Sequence, residues 1–488
     1  MIYTENNKDQ RNEPWRQELR NSLKNKERMM IPRVIMPELD AEYRSHCYDE
    51  VNLGLSQELA IQEAKRCLDC PDPQCVRGCP VEINIPLFIK NIERNEILQA
   101  AKVLKTASVL PAVCGRVCPQ EKQCENFCIY RKTNRDSVAI GHLERFAADY
   151  EREKGFISVP EITSHNGIKI AVTGSGPAGL SFAGNMAKYG YEVTVFEALH
   201  EIGGVLKYGI PEFRLPNTIV DVEINILEKM GVKFITNCII GKTISFDDLQ
   251  KAGYMGIFIS GGAGLPNFMN IPGENLPGVL SANEYLTRVN LMGANLQESD
   301  TPVFRGKNVA VIGGGNTAID SVRTARRLGA EKAMIVYRRS EEEMPARLEE
   351  IRHAKEEGII FINLHSPVRY TGDEKGHVKQ MVLQKMKLGE IDVSGRRSPV
   401  EIPDATVTID VDLVIVAIGV SPNPLVLNAF SDLNVSGSGK IIVNQDTLQT
   451  DLPNVFAGGD IVRGGATVIL AMGDGRKAAK AMHEKITN

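Results

Sequence analysis

The chain lacks the features of membrane and nucleic-acid-binding proteins. No apolar run reaches the ~18–20 residues of a membrane span, and the polar N-terminus lacks the apolar core of a signal peptide. The formal net charge of −4 disfavours nucleic acid and anionic membranes as partners. The 488 residues are 43% hydrophobic and 24% charged, a balance typical of globular proteins. The sequence therefore predicts a cytoplasmic enzyme of roughly three domains.

Cysteine is nearly absent outside one region. Nine of the ten cysteines lie between Cys47 and Cys128, and Cys238 is the only other one. Such crowding in a cytosolic chain indicates metal binding rather than disulfide bonds. Strand-like runs are also scarce before Lys169, whereas apolar residues recur at helical spacing from Ile85 to Leu104. The first third of the chain is thus predicted to be helical and to bind metal.

Two βαβ units follow this region. Each has a β-rich apolar run, a glycine-rich turn, a helical pattern and a second β-rich run. Two such units in one chain imply two bound dinucleotides. The predicted strands are Lys169–Thr173 and Glu192–Phe196 in the first unit, Asn308–Ile312 and Ala333–Tyr337 in the second, and Leu413–Ala417 and Lys440–Val443 late in the chain.

The first unit carries the dinucleotide fingerprint G-x-G-x-x-G at Gly174, Gly176 and Gly179. These glycines are expected to allow a tight turn, close approach of a pyrophosphate, and packing of helix on strand. The next strand ends in Glu197, at the spacing of an acid that binds ribose hydroxyls. A chance glycine turn is the alternative interpretation. The turn's other predicted nucleotide contacts are Pro177 and Ala178.

Two distant segments are suited to complete this site as a flavin site. Residues 203–216 follow the ribose strand directly. Residues 455–460 end in a Gly–Asp pair whose carboxylate can reach flavin ribityl hydroxyls, although the pair alone could be an ordinary turn. The next helix would aim its N-terminus at the isoalloxazine pyrimidine, where negative charge grows on reduction. FAD is therefore predicted, with further contacts from Gly204, Arg214, Gly459, Asp460, Thr467 and Val468.

The second unit has the related form G-x-G-x-x-A, and its second strand ends in two arginines instead of an acid. Guanidinium groups bind phosphate oxygens by charge-assisted hydrogen bonds, so this strand end suits the 2′-phosphate of NADPH better than the 2′-hydroxyl of NADH. A solvated basic strand end, paired with the glutamates at 341–343, is the alternative. The predicted NADPH contacts are Gly313, Gly315, Asn316, Thr317, Ala318, Arg338 and Arg339.

Eight cysteines form two runs with short spacings, C-x2-C-x4-C-x3-C-P and C-x3-C-P-x4-C-x3-C. They are close to the ferredoxin run in which the last cysteine serves the other of two clusters. Because soft thiolates match iron, two [4Fe–4S] clusters are predicted. Structural zinc, which also uses C-x2-C pairs, is the alternative. The runs contain Cys67, Cys70, Cys75 and Cys79, and Cys114, Cys118, Cys124 and Cys128.

Seven motifs spread over nearly the whole chain resemble one family. They are CxxCxxxxCxxxCP, LPAVCGRVCPQEKQCE, VTGSGPAGL, GGVLKYGIPEFRLP, VIGGGNTAID, YRRS with EEMPA, and FAGGDIV. In these motifs the chain resembles the small (β) subunit of NADPH-dependent glutamate synthase. The same module is similar to the N-terminal half of dihydropyrimidine dehydrogenase and to the large subunit of the NADH-dependent ferredoxin:NADP oxidoreductase.

The resemblance implies how the cysteines divide between two clusters. One cluster would have a carboxylate ligand from the segment after the last cysteine, where the matching residue is Glu144; an exposed helix carboxylate is the alternative. Cys114 would remain as a small buried hydrophobe, and Cys47 and Cys238 are predicted to be structural. The implied ligand sets are Cys67, Cys70, Cys75 and Cys128 for one cluster, and Cys79, Cys118, Cys124 and Glu144 for the other.

The resemblance also implies the fold: α/β, with two nested Rossmann-like dinucleotide-binding domains preceded by an all-helical iron–sulfur domain. The NADPH domain would interrupt the FAD domain, to which the chain would return late. The expected segments are 1–160 for the helical domain with two [4Fe–4S] clusters, 161–300 for the first part of the FAD domain, 301–430 for the NADPH domain, and 431–488 for the second part of the FAD domain.

The implied function is the NADPH-oxidising, electron-input subunit of glutamate synthase. Electrons would pass from NADPH through FAD and two [4Fe–4S] clusters to a partner large subunit that makes glutamate from glutamine and 2-oxoglutarate. No catalytic side chain is predicted, because hydride passes between bound cofactors. One alternative is the large subunit of the bifurcating NADH-dependent ferredoxin:NADP oxidoreductase. An alternative of a different class is a zinc-binding interaction scaffold with degenerate nucleotide folds.

Overall fold

The computed structural model describes residues 10–162, 165–429 and 433–487. The start of the polar N-terminus and the predicted boundary between residues 430 and 431 lie outside this part of the chain. Regular structure within residues 10–162 is helical, apart from an isolated bridge between Glu38 and Asn52. The α-helices are α1 Pro14–Ser22, α2 Asn25–Met30, α3 Ala41–Arg44, α4 Gln57–Ala64, α5 Gln74–Arg77, α6 Ile85–Glu93, α7 Ile97–Ala107, α8 Pro111–Val117 and α9 Ile140–Glu153, with 3-10 turns at Gln120–Lys122 and Ile129–Thr133.

The predicted helical stretch from Ile85 to Leu104 consists of two helices. Asn84 caps α6, because the Asn84 Oδ1 accepts the amide of Leu87. The isoleucines of α6 face the core. The chain turns at Asn95, whose φ of 66° is left-handed, a conformation that asparagine tolerates. The break therefore has a local cause that apolar spacing alone does not reveal.

The remaining elements alternate between strands and helices. From residue 168 to residue 291 they are β1 Lys169–Thr173, α10 Pro177–Lys188, β2 Glu192–Phe196, α11 Val205–Tyr208, α12 Asn217–Lys229, β3 Lys233–Ile235, α13 Phe246–Lys251, β4 Tyr254–Ile259, β5 Leu265–Pro266, β6 Val279–Ser281, α14 Ala282–Leu286 and a π-turn at Thr287–Leu291. From residue 308 onward they are β7 Asn308–Ile312, α15 Asn316–Arg327, β8 Lys332–Tyr337, a 3-10 turn at Glu341–Glu343, α16 Leu348–Glu356, β9 Ile360–Asn363, β10 His365–Gly372, β11 Val378–Ile391, β12 Arg397–Asp410, β13 Leu413–Val416, β14 Val420–Ser421, α17 Pro424–Asn428, β15 Val455–Ala457, α18 Asp460–Arg463 and α19 Val468–Thr487.

Two parallel sheets carry the two βαβ units. The first has the order β15-β4-β1-β2-β3 and the second β6-β13-β7-β8-β9, and each glycine turn follows the first strand of its unit. Strand β15 pairs in parallel with β4 after the whole second sheet has been completed. The chain thus leaves the first sheet, builds the second, and returns. The predicted nested α/β fold is confirmed by this topology.

The strand pairing corrects one boundary and one strand. The boundary predicted at 300/301 is too late, because β6 already pairs with β13 in the second sheet. Strand β6 has only three residues, too few for an alternation of polar and apolar residues to be recognised in the sequence. The strand predicted at Lys440–Val443 is wrong, since this segment contributes only an isolated bridge between Val435 and Ile441. The sequence analysis also missed the antiparallel sheet β10-β11-β12, although its long strands alternate between polar and apolar residues.

In the part of the chain that the structure describes, the buried side chains form one large core and two smaller ones. The large core runs without interruption from the helical region into the first sheet, so these two parts are packed as one body. The two smaller cores lie within the second domain, and β7, β8 and β13 each contribute residues to both of them. Among the described residues, no single helix is long and apolar enough to cross a membrane; α7 and α8 meet that test only jointly, across an 89° bend.

Candidate functional site

The first glycine turn has the geometry of a pyrophosphate site. Gly174 has a φ of 92°, and a Cβ atom there would lie 2.6 Å from the Ser260 carbonyl oxygen. A Cβ on Gly179 would lie 2.1 Å from the Gly174 oxygen, so only glycine lets α10 approach β1 this closely. Gly176, at the N-terminus of α10, faces open space. The turn therefore offers free helix amides to an anion, and the residues fit a dinucleotide.

Glu197 lies beside this turn, as the fingerprint predicts. Its Oε2 accepts hydrogen bonds from the Ser175 amide at 2.8 Å and the Ser175 hydroxyl at 2.6 Å, and its Oε1 accepts the Leu199 amide at 2.9 Å. A carboxylate has about four acceptor positions, so capacity remains for ribose hydroxyls. The Ser175 hydroxyl also accepts the Gly203 amide, which joins the turn to the start of segment 203–216.

The two distant segments predicted for the flavin reach the same place. A Cβ on Gly204 would lie 2.9 Å from Gly176 Cα. Burial and, after it, the nearby carboxylates of Asp460 and Glu197 together raise the pKa of Tyr208 to about 12. Asp460 Oδ1 accepts the Ala466 amide, and Gly459 packs against Ala178. The structure thus brings Glu197, Gly204, Gly459 and Asp460 around one turn; Tyr208 was missed by the sequence analysis.

Helix α19 completes this cluster. It begins at Val468, and the Thr467 hydroxyl accepts the amide of Leu470 at 3.4 Å. A Cβ on Gly475 would lie 2.2 Å from the Ala178 oxygen, so the helix lies directly on α10. With 20 residues, α19 has a substantial dipole, and its N-terminus lies next to Asp460.

Arg214 was predicted to contact FAD, and the structure places it elsewhere. Its Nη1 donates to both carboxylate oxygens of Asp320 at 2.7 Å, and its Nε is 3.1 Å from Glu350. Both acids belong to the second domain, and all three side chains are about 95% buried. Arg214 is therefore an interdomain ion-pair residue, and its guanidinium is not available to a flavin.

The second glycine turn repeats the features of the first. Gly313 has a φ of 140°, and a Cβ there would lie 2.4 Å from the Ala417 oxygen. A Cβ on Gly315 would have a Pro345 carbon, at 3.9 Å, as its nearest neighbour. Helix α15 begins directly after Gly315, with Asn316. Thr317 is exposed and Ala318 is buried beneath the turn. The residues present fit a second dinucleotide, with its phosphates at the N-terminus of α15.

The two arginines after β8 differ in their surroundings. Arg338 is exposed. Arg339 is 5% exposed, its Nε donates to the Arg397 oxygen at 2.7 Å, and its Nη2 donates to Asp392 at 2.5 Å. Only Arg338 therefore keeps a guanidinium available to a phosphate, whereas Arg339 anchors the turn between β11 and β12.

The cysteines gather into two groups. In the first group, burial and, after it, the neighbouring Cys67 and Cys128 together raise the pKa of Cys70 to about 12. Burial also raises the pKa of Cys75, and the same three thiols add to the effect. These mutual effects bring together the residues Cys67, Cys70, Cys75 and Cys128, of which the last three are half-exposed.

The second group contains Cys79, Cys118, Cys124 and Glu144. Burial raises the pKa of Cys79 and of Cys124, and the Glu144 carboxylate adds to the effect. The pKa of Cys118 is raised first by the hydrogen bond that its thiol donates to Cys114, then by burial and by the Glu144 carboxylate. Glu144 is 6% exposed, and its Oε1 is buried with no hydrogen-bond partner. Burial raises the pKa of Glu144 to about 8. The alternative of an exposed helix carboxylate is therefore wrong, and an orphaned buried acid of this kind suits a metal ligand.

The cysteine sulfurs are not gathered as tightly as a single bound ion would require. Four thiolates around one zinc ion at 2.3 Å would lie about 3.8 Å apart. Among the described residues, which include all ten cysteines, no three cysteine sulfurs lie within 4.8 Å of one another. This wider arrangement agrees with the donor set of an iron–sulfur cluster, which is larger than one ion.

The second cysteine group adjoins the first dinucleotide domain. Cys114 Sγ lies 3.4 Å from Met472 Sδ on α19, and a Cβ on Gly473 would lie 2.9 Å from the oxygen of Pro80, the neighbour of Cys79. Cys114 is fully buried, in agreement with its prediction as a small hydrophobe. The helix that begins beside Asp460 thus runs directly past the second cysteine group.

Comparison with known proteins agrees with this division of the chain. Residues 44–156 match the family described as dihydropyrimidine dehydrogenase domain II, 4Fe-4S cluster. Residues 168–475 match the pyridine nucleotide-disulphide oxidoreductases. In fold, the chain is similar to FprA from Mycobacterium tuberculosis in complex with NADPH, with a TM-score of 0.56 and 19% identity over 66% of this chain and 85% of that one.

Curated relatives match over nearly the full length. The glutamate synthase [NADPH] small chains of Azospirillum brasilense and Escherichia coli are each 34% identical to this chain, covering 91% and 92% of it and 92% and 96% of their own lengths. The NADPH-Fe(3+) oxidoreductase subunit beta of Geobacter sulfurreducens is 36% identical over 86% of this chain and 64% of its own length.

These matches confirm the resemblance seen in the sequence and the predicted cofactor classes, namely 4Fe–4S clusters, FAD and NADP(H). They also agree with the two glycine turns and the two cysteine groups described above. The chain is therefore an oxidoreductase that belongs to the pyridine nucleotide-disulphide oxidoreductases, in the family of the glutamate synthase [NADPH] small chains.

Proposed function

We propose that this chain is the NADPH-oxidising, electron-input subunit of a glutamate synthase, located in the cytoplasm. When bound, FAD would take the hydride of NADPH and release electrons singly to two [4Fe–4S] clusters. The observation that carries the proposal is the contact of α19 with residues beside the second cysteine group, where Met472 meets Cys114 and Gly473 meets Pro80, because electron transfer needs the two sites to be close.

The chain's own residues would bind and orient these groups. The free amides at the starts of α10 and α15 would hold the two pyrophosphates, Glu197 and Asp460 would accept hydrogen bonds from sugar hydroxyls, and the N-terminus of α19 would stabilise negative charge. Cys79, Cys118, Cys124 and Glu144 would bind the cluster on the flavin side. The cluster of Cys67, Cys70, Cys75 and Cys128 would then be the one nearer to the partner, because three of these thiols are half-exposed.

A partner large subunit that makes glutamate from glutamine and 2-oxoglutarate would receive the electrons. The names of the relatives support this partner, although one relative is a subunit of an NADPH-Fe(3+) oxidoreductase. The bifurcating transhydrogenase remains the second candidate by sequence resemblance. The deciding experiment is anaerobic co-purification of the native complex, followed by NADPH-dependent glutamate formation. Activity only with NADH and ferredoxin would replace the proposal by the second candidate.

The cluster assignment is tested by iron content. Cys70→Ser is expected to lower iron and acid-labile sulfide by about one cluster's share, because a [4Fe–4S] cluster needs all its ligands. Cys238→Ser is the matched control, since Cys238 is buried and belongs to neither cysteine group. Unchanged iron in Cys70→Ser would contradict the assignment.

The NADPH preference is tested at the two arginines. Arg338→Ala is expected to raise the KM for NADPH much more than the KM for NADH, because only NADPH has a 2′-phosphate. Arg339→Ala is expected to lower stability instead, because its guanidinium is bound by Asp392 and the Arg397 oxygen. Equal changes in both KM values for Arg338→Ala would remove the assignment.

A further inference from the structure

Segment 203–216 physically connects the two dinucleotide sites. Near its start, Gly204 lies against Gly176 of the first glycine turn. Near its end, Arg214 donates to Asp320 on α15, the helix that begins at the second glycine turn. The eleven residues from Gly204 to Arg214 thus link the two turns, and a buried ion pair holds their far end.

Segment 345–350 makes a second connection, from the second glycine turn to the iron–sulfur domain. The Ala346 amide donates to the Gly314 oxygen at 3.2 Å, and the Arg347 amide donates to Asn316 Oδ1 at 2.9 Å. The Arg347 side chain extends the other way, where Nη1 donates to the Arg116 oxygen at 2.6 Å and Nη2 to Gln120 Oε1 at 3.0 Å. Arg116 and Gln120 flank Cys118.

The iron–sulfur domain also contacts this segment from its own side. Lys122 Nζ donates to the oxygens of Pro345 at 2.7 Å and Ala346 at 3.0 Å, and Glu121 accepts the Leu348 amide at 3.1 Å. Arg347 is 4% exposed. If the second domain swung away, Arg214 would lose Asp320 and Glu350, and Arg347 would lose the Arg116 oxygen and Gln120. These buried contacts require one relative placement of the domains.

We propose that Arg214 and Arg347 are positioning residues that keep the NADPH domain docked against the other two domains throughout turnover. The nicotinamide is then presented to the flavin without a domain rotation. The inference rests on the proposed function, because it concerns hydride delivery. The inference predicts the direction in which the rate of flavin reduction changes. Weakening the docking contacts slows flavin reduction if the docked state is the productive one, and speeds it if the domain must first swing out.

The test compares three variants of the full, cofactor-loaded chain. Arg347→Lys keeps the charge but loses the planar fork that reaches two acceptors. Lys122→Ala removes contacts to the same segment from an exposed side chain, and serves if Arg347→Lys does not fold. Lys102→Ala is the matched control, an exposed lysine on α7 of the same domain.

Two measurements are made on each variant under anaerobic conditions. Stopped-flow bleaching of the bound flavin by NADPH is expected to slow about tenfold in Arg347→Lys, since small misplacements of reacting groups have effects of this order, and less in Lys122→Ala. Amide hydrogen exchange without NADPH is expected to increase over residues 345–350 in both variants. Reoxidation of photoreduced protein by ferricyanide, which does not use the NADPH domain, is expected to be unchanged.

The outcomes separate the inference from the proposed function. Increased exchange with unchanged or faster bleaching would overturn the docking proposal, and so would unchanged exchange in both variants. If NADPH does not bleach the flavin of the unmodified chain, the proposed function fails, while the exchange measurements still decide whether the contacts hold the domain in place.

Discussion

The helical domain meets its two neighbours through different kinds of interface. Towards the first sheet the contact is apolar: Gly184 lies against both Val109 and Leu227, and one continuous core spans both parts. Towards the second domain the contact is ionic, with Arg44 bound by Glu356 and Glu357. The second domain keeps its own cores, separate from the large one.

The difference shows how one chain can hold two neighbouring domains against the helical domain by different means. Apolar burial is non-directional, so it joins the helical domain to the first sheet but does not by itself specify how they are oriented. Buried ion pairs contribute little net stability, yet they are costly to break and require one geometry. The ionic side is therefore suited to orienting a separately folded domain. Four changes test this contrast, in order of decreasing expected effect.

The largest effect is expected at the centre of the ionic interface. Glu357 accepts hydrogen bonds from Arg323, Arg327 and Arg44, all of them buried. Glu357→Ala leaves three guanidinium groups without this partner and is expected to lower the free energy of unfolding by about 3–5 kcal/mol. Urea denaturation, monitored by fluorescence, measures this change in the free energy of unfolding. The control Glu341→Ala removes a half-exposed pair with Lys355 and should cost less than about 1 kcal/mol.

The same residue makes this interface acid-sensitive. Burial alone would raise the pKa of Glu357, but Arg323 and Arg327 lower it from 4.5 to about 2. A carboxyl with a lowered folded pKa stabilises the protein above pH ~4.5, and this contribution is lost as the pH falls towards 2. Equal unfolding free energies for Glu357→Ala and Glu341→Ala at neutral pH would contradict the contrast between the interfaces.

The apolar interface is expected to be sensitive to volume instead. A Cβ on Gly184 would lie 2.8 Å from side-chain carbons of both Val109 and Leu227. Gly184→Val therefore overpacks the boundary and is expected to cost about 1–3 kcal/mol of unfolding free energy. Gly437→Val is the control, because Gly437 is exposed and has no neighbour within 4 Å of its Cβ position. A neutral Gly184→Val would show that this boundary is not closely packed.

A buried carboxyl gives the apolar interface the opposite pH dependence. Glu223 accepts the Ala112 amide at 2.8 Å across the boundary, and burial raises its pKa from 4.5 to about 7. The folded state holds this proton longer than the unfolded state, so stability falls as the pH rises from 4.5 through 7. Glu223→Gln is expected to increase the free energy of unfolding by up to about 3 kcal/mol at pH 8 and to leave it unchanged at pH 4. A gain at both values would rule out titration of Glu223 as the cause.

The smallest effect is expected at the rim of the ionic interface. Arg352 is 47% exposed and pairs with Glu38 of the helical domain at 3.0 Å. Arg352→Ala is expected to cost at most about 1 kcal/mol, and the cost should vanish at high salt because exposed pairs are screened. Lys480→Ala, which removes an exposed pair with Glu484 within α19, is the control. A larger, salt-independent cost would mean that the rim is as important as the buried centre.

The sequence was sufficient where the signal is local. The glycine turns, the strands before them and Glu197 could be predicted because each fingerprint lies within about 25 residues and its chemistry is carried by adjacent backbone. The grouping of the cysteines followed from the family resemblance, and the structure gathers the same residues. Glu144 was the least certain of them, and only its burial without a hydrogen-bond partner distinguishes it from a surface acid.

The sequence was insufficient where a side chain's partner is remote. Arg214 and Arg339 stand in motifs next to nucleotide sites, but their carboxylate partners are 106 and 53 residues away in the chain. A guanidinium can serve a phosphate or an acid equally well, and only the tertiary fold decides which. Short elements escape prediction for a different reason. Strand β6, for example, has three residues, which are too few to show a periodic pattern.

The late return of β15 to the first sheet has a consequence for biosynthesis. The ribosome releases the chain from its N-terminus, so the inserted domain is complete long before Val455–Ala457 emerges. Until then, β4 remains an open edge, and Asp460 and α19 are missing from the first dinucleotide site. If this site holds the flavin as proposed, flavin loading would be among the last steps of maturation, and a nascent chain that stalls before residue 455 would hold a finished nucleotide domain with no electron acceptor beside it.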